Sequence, residues 1–292
     1  MEMIFDGKKN ERDKPRVTVK RGDVGYTDKY KYMGDQYDKT GKNMSKITKK
    51  MEKAKYIASE VKRQGCYTKV GHADTSIRML LLELVVIPTL LFNTETWINI
   101  TKEEFRAVDQ AHYKVLIKVF EQKKNTPYYG ILMETGYWPY SYVIIYKRLM
   151  FYHHLIHSDQ RRIARKILIN QMNGWGKGYT WYMGVEEWLE KLDLENCEEE
   201  VMKIQKSKWK RDVKRKLGRW IKKEMEDKKL EMKKLRYTDA NGKQDYVEKF
   251  PMVKVRKIMR VRLHMTELKA NFRGKYTDDV CPACEREEET SM

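Results

Sequence analysis

From Ser45 onward the apolar residues recur with the period of a helix, and this pattern restricts the fold to packed helices more than any other feature of the chain. Ile47, Met51, Ala54, Ala58 and Val61 are spaced 4-3-4-3, one stripe at 3.6 residues per turn. Lys46, Lys49, Lys50, Lys53 and Lys55 fall mostly on the opposite face. A second, mostly buried helix is expected over 77–87, ending before Pro88 because proline supplies no backbone N–H. Thr101 and Glu104 make a capping box, opening a helix with Phe105, Val108, His112, Val115 and Val119 on one side. Further helices are expected over 129–135, 142–157 and 159–172, the last capped by Ser158, then over 185–193, 197–236 and 252–269. The long one carries Val201, Ile204, Val213, Leu217, Trp220 and Ile221 as its apolar positions.

The first 38 residues read differently. Val17 and Val19 alternate with polar neighbours before the turn at Arg21-Gly22-Asp23, and Tyr30 and Tyr32 repeat the alternation ahead of Met33-Gly34. The expected fold class is therefore mainly α, with short N-terminal β-strands. Gly174 to Gly184, rich in glycine and aromatics, is the expected boundary between two halves.

Charge bounds the partner. The 292 residues carry 61 Lys and Arg against 42 Asp and Glu, a formal charge of +19, which points to a polyanion and most directly to nucleic acid. Residues 201–240 alone hold sixteen Lys or Arg against six acids, more than half of the excess. Lys206, Lys210, Arg211, Lys214, Arg215 and Arg219 on the long helix are candidate phosphate contacts, as are Lys49, Lys50 and Lys53 earlier and Arg260 and Arg262 later. The apolar run from Met79 to Phe92 contains Glu83 and Pro88 and at fourteen residues reads as a buried helix rather than a membrane span. An intracellular protein of cytoplasm and nucleus is expected, with no membrane partner and no small-molecule substrate.

Catalytic chemistry is not legible. Glycine-rich phosphate loops and a nucleophile with its base are missing from the pattern, Asp278-Asp279 reads as a solvated turn, and His153, His154 and His157 lack a carboxylate or thiolate companion. Cys66 and Cys197 stand alone. Cys281-Pro-Ala-Cys284 has the two-residue spacing that lets both thiolates reach one tetrahedral metal, so half a zinc site is expected there, incomplete because no further Cys or His follows. A redox pair is the weaker reading, because Cys281 follows a basic helix rather than a strand.

Several blocks, in order, resemble the reverse transcriptases of non-LTR retrotransposons. Tyr30-Lys-Tyr-Met-Gly34 is similar to that family's motif E turn. Leu84-Val-Val-Ile-Pro-Thr-Leu-Leu-Phe-Asn-Thr-Glu-Thr-Trp97 resembles its "LV-P-LLYG-E-W" stretch, with Phe92-Asn93-Thr94 departing from the usual Tyr-Gly-Ser/Ala. Asn125-Thr-Pro127 with Met133-Glu-Thr-Gly136-Tyr-Trp-Pro139, and Arg148-Leu-Met-Phe-Tyr-His-His-Leu155, look like the blocks that follow. Gly274 to Cys284 is similar to the start of the family's C-terminal CCHC knuckle.

The resemblance implies a palm-end β segment over 1–44, a helical thumb over 45–173, a linker at 174–184, a basic post-thumb region over 185–269 and a truncated knuckle over 270–292. Tyr32, Met33 and Gly34 would then lie against the primer end. The implied partner is an RNA template paired with a DNA primer. The family's metal-binding carboxylates have no counterpart, so the chain is not expected to polymerise alone, and magnesium would belong to the parent polymerase. The alternative expectation is a free-standing, domesticated RNA- or DNA-binding protein.

Overall fold

The computed structural model describes residues 43–64, 75–174 and 178–266, and the backbone of the strand segments 18–19, 22–23, 29–32 and 35–38. The protein is mainly helical. The expected short N-terminal β-strands are not supported as part of the fold: the pairing there amounts to two separate ladders, β1 (Thr18–Val19) with β2 (Gly22–Asp23) and β3 (Lys29–Tyr32) with β4 (Asp35–Asp38). Ladders of two and four residues are below the size that is stable without further packing.

α1 (Met44–Gln64) packs along α4 (Lys102–Val119), burying Ile47, Ala54, Ala58 and Val61 of the expected stripe. The capping box is formed: Glu104 N–H donates to the Thr101 hydroxyl at 3.2 Å, and Thr101 N–H donates to Glu104 Oε2 at 3.0 Å. Glu104 Oε1 also accepts the buried Asn43 N–H at 2.7 Å, which pins the start of α1 to the start of α4.

α2 (Thr75–Leu81) runs through a π-helical turn (Leu82–Val86) into α3 (Ile87–Leu90). Pro88 does not end this helix as expected. The π-turn already pairs Ile87 N–H with Leu82 O, five residues back, and proline is tolerated in the first turn that follows. Met79, Leu82, Val86 and Leu90 are buried, whereas Ile77, Leu80 and Leu84 are exposed. By length and composition Thr75–Thr96 could cross a membrane, a property shared by core helices of soluble proteins, and 39% of its apolar window is buried.

α5 (Tyr128–Thr135) ends at Gly136, whose φ of 72° is the left-handed cap that glycine supplies. α6 (Tyr140–Ile156) is the central element, in contact with α4, with α7 (Ile163–Met172), with α8 (Trp181–Lys191), with α9 (Glu198–Lys203) and with α10 (Lys206–Glu231). Ser158 does not cap α7. Its hydroxyl donates back to His154 O at 2.7 Å, closing α6 instead.

The glycine-rich stretch does not divide the core. α8 begins inside it at Trp181, and Trp181 and Tyr182 are buried in a cluster that continues from Ile47 to Met265. Arg148 on α6, 5% exposed, donates to Trp97 O and to Trp181 O, and so ties the expected thumb and the expected linker to one helix. Burial lowers its pKa to about 10. Past α10, α11 (Asp245–Lys249) and α12 (Met252–Arg262) fold back over α5, where a Cβ on Gly130 would meet Leu263 at 2.5 Å.

Candidate nucleic-acid interface

The expected 197–236 helix is two. Ile204 is extended, its carbonyl held by His153 Nε2 at 2.8 Å, and that contact separates α9 from α10. α10 then runs for 26 residues and buries Trp209, Val213, Leu217, Ile221 and Met225, each four residues from the next. Trp209 donates its indole N–H to Leu149 O at 3.1 Å, and Glu224 accepts from the hydroxyls of Tyr129 and Tyr142. One side of the rod is thus bolted to α5 and α6.

Arg211, Arg215 and Arg219 have the same four-residue spacing, offset by two from the buried line. Two residues are about 200° around a helix, so these arginines form the ridge farthest from the core. All three are exposed, as are Lys206, Lys210 and Lys214. Arg215 is paired with Asp212 at 3.0 Å. Lys206, Lys210, Arg211, Lys214 and Arg219 make no ion pair among the described residues. Beside the ridge lies an open hollow of about 370 Å³ lined by both signs of charge. Three of its four cations are neutralised locally, by Glu200 on Lys203, Asp212 on Arg215 and Asp193 on Lys216.

The other expected contacts divide. Lys49 and Lys53 are exposed on α1. Lys50 is engaged within the fold, donating to Phe92 O and lying over the Trp97 ring at 5.2 Å. Arg260 and Arg262, half-buried, have partners within the fold. Arg260 donates to Glu121 O at 2.8 Å, and Arg262 Nε reaches both oxygens of the fully buried Glu134 at 2.8 and 2.9 Å. Arg256, which sequence reasoning passed over, pairs with Glu121 at 2.7 Å alongside Arg78 at 2.8 Å. Burial alone would raise the Glu121 carboxyl, but the Arg78 hydrogen bond and the surrounding cations hold it below the ordinary range. Burial wins at Glu134, whose pKa is raised in spite of the Tyr246 and Arg262 hydrogen bonds.

Trp220 was expected in the apolar stripe but is 40% exposed. It rests edge-on against Trp188 of α8, ring centroids 5.9 Å apart at 75°. Its sequence position gives the signal: it stands three residues past Leu217, off the four-residue series that defines the buried line.

Tyr32 belongs to the β3 backbone, paired with Asp35, while Met33, Gly34, Cys66, Asp278, Asp279, Cys281 and Cys284 lie outside the described residues. No group of three potential metal ligands occurs among the described residues, and His153 and His157 stack on one another at 4.0 Å. Comparison with family models, with curated proteins and with solved structures returned no match to this chain.

Proposed function

We propose that this chain grips nucleic acid for a retrotransposon reverse transcriptase, supplying the thumb and a basic post-thumb rod while the carboxylates that carry nucleotidyl transfer lie elsewhere in a larger polypeptide. The observation that carries the reading is the α10 ridge, where Arg211 and Arg219, with Lys206, Lys210 and Lys214 beside them, make no ion pair among the described residues and stand opposite a buried apolar line. Cations that serve only solubility need no such rigid alignment. Phosphate contacts of this kind give affinity without base choice, because every phosphate offers the same charge. The template–primer duplex is the proposed partner. Cys281 and Cys284 would contribute two thiolates to a zinc site completed by ligands from beyond the pair.

The test is binding of the whole chain and of an Arg211→Gln, Lys214→Gln, Arg219→Gln variant to duplexes of several sequences over a range of salt. Each phosphate contact contributes about 0.9 to the slope of log K against log salt, so the variant should lose about three units of slope, equally for every sequence. Unchanged affinity and slope in a folded variant would refute the reading. Arg215 should matter less than its neighbours, since Asp212 already holds it.

A further inference from the structure

Trp220 is the exposed aromatic ring on the cationic helix, its edge against Trp188 and its side chain hydrogen-bonded to Tyr142, with 40% of its surface open to solvent. Its neighbours one turn away on α10 are Lys216, which Asp193 pairs, and the buried Leu217 on one side, Lys223 and Glu224 on the other, and Arg219 precedes it. Trp188 beneath it is fixed from other sides, with Tyr142 edge-on at 5.9 Å and Lys191 Nζ over its ring at 4.8 Å. Among the described residues Trp220 has one ring contact, the edge-on one to Trp188. The result is an indole resting on an aromatic base, partly open to solvent, with the exposed Arg219 and Lys223 beside it.

We infer that Trp220 is a stacking platform for an unpaired base, so that the α10 surface takes a single-stranded segment of nucleic acid as well as duplex. This rests on the reading of α10 as a phosphate-binding rod. An apolar partner would have to desolvate the neighbouring cations, and a basic one would be repelled, whereas a polyanion with flat aromatic groups satisfies both chemistries. Bases within a duplex already stack on one another and present only their edges, so the platform discriminates by strandedness. The feature is tolerant of sequence, since every base has a π-face.

The experiment measures affinity of the full chain for a labelled single-stranded RNA, a single-stranded DNA of the same sequence, and the matching duplex. Three variants are compared: Trp220→Leu, which keeps apolar contact with Trp188 but removes the aromatic face, Trp220→Phe, and the Arg211→Gln, Lys214→Gln, Arg219→Gln ridge variant. Trp220→Leu should weaken single-strand binding by about five- to a hundredfold, the range of one lost base stack. It should leave duplex binding within a factor of two, and Trp220→Phe should recover most of the loss. The RNA and DNA arms show which strand chemistry is preferred, and a loss in either one supports the platform. Equal losses on single strand and duplex, or no loss on either single strand, would overturn it. If the ridge variant loses affinity and Trp220→Leu does not, stacking alone fails. If the ridge variant loses none, the underlying reading fails with it.

Discussion

Asp109 shows how one buried carboxyl can make stability depend on pH. It sits on α4 with its carboxylate at the start of α6, accepting Ser141 N–H at 2.9 Å and lying 3.4 Å from the Tyr128 hydroxyl. Burial is the largest influence and pushes its pKa up from 3.8 to about 6, outweighing those hydrogen bonds. A raised carboxyl pKa means the folded chain holds the proton longer than the unfolded chain does. Folding is therefore penalised progressively as pH rises from about 4 to about 6, and the full cost, up to about 3 kcal/mol, persists above that. Asp109→Asn keeps an acceptor for Ser141 and removes the charge. Its melting temperature should exceed that of the parent at pH 7.5, with the difference shrinking toward pH 4; a difference that does not vary with pH would contradict this account. Neighbouring His112 is held neutral by complete burial, stacked on Tyr140 at 3.5 Å with Nδ1 2.9 Å from the Tyr128 hydroxyl, so it belongs to the core.

Among the elements, α12 shows basic side chains engaged inward, within the fold. Lysines and arginines on an amphipathic helix look alike in sequence whichever role they have, and the partners of Arg256, Arg260 and Arg262 stand more than a hundred residues earlier, at Glu121 and Glu134. No local pattern could reveal that. The same holds for the break before α10, which depends on a hydrogen bond from His153 across the fold. Local signals that carry their own geometry were legible: the Thr101–Glu104 box and the stripe on α1. Removing the Arg262–Glu134 pair should cost stability and nothing else. Arg262→Gln leaves Glu134 buried without its cation, a change worth about 3–5 kcal/mol, while Tyr246 retains its 2.6 Å hydrogen bond. Thermal melts should register that loss, and the salt slope for nucleic acid in the folded variant should not change. A reduced slope would return Arg262 to the interface.

Across the whole molecule the packing joins what the glycine-rich stretch was expected to part. Glycines flanking Trp181 look like a linker in sequence, but the indole is buried and donates to Glu95 O at 2.8 Å. With α6 serving as common support for α8, α9 and α10, residues 43–266 should unfold in one transition, and far-UV circular dichroism and tryptophan fluorescence should give coincident denaturation curves. Two resolved transitions would restore the boundary at 174–184. That shared support also fixes how a long partner must lie. A file of residues spaced by four is not straight: each step rises about 6 Å and turns about 40° in the right-handed sense, so Arg211 and Arg219 are separated by about 12 Å and about 80°. A stiff double helix touching such a spiral meets it tangentially and engages a short arc, the roughly two turns that hold Arg211, Lys214 and Arg219, whereas a pliable strand can wind with it from end to end.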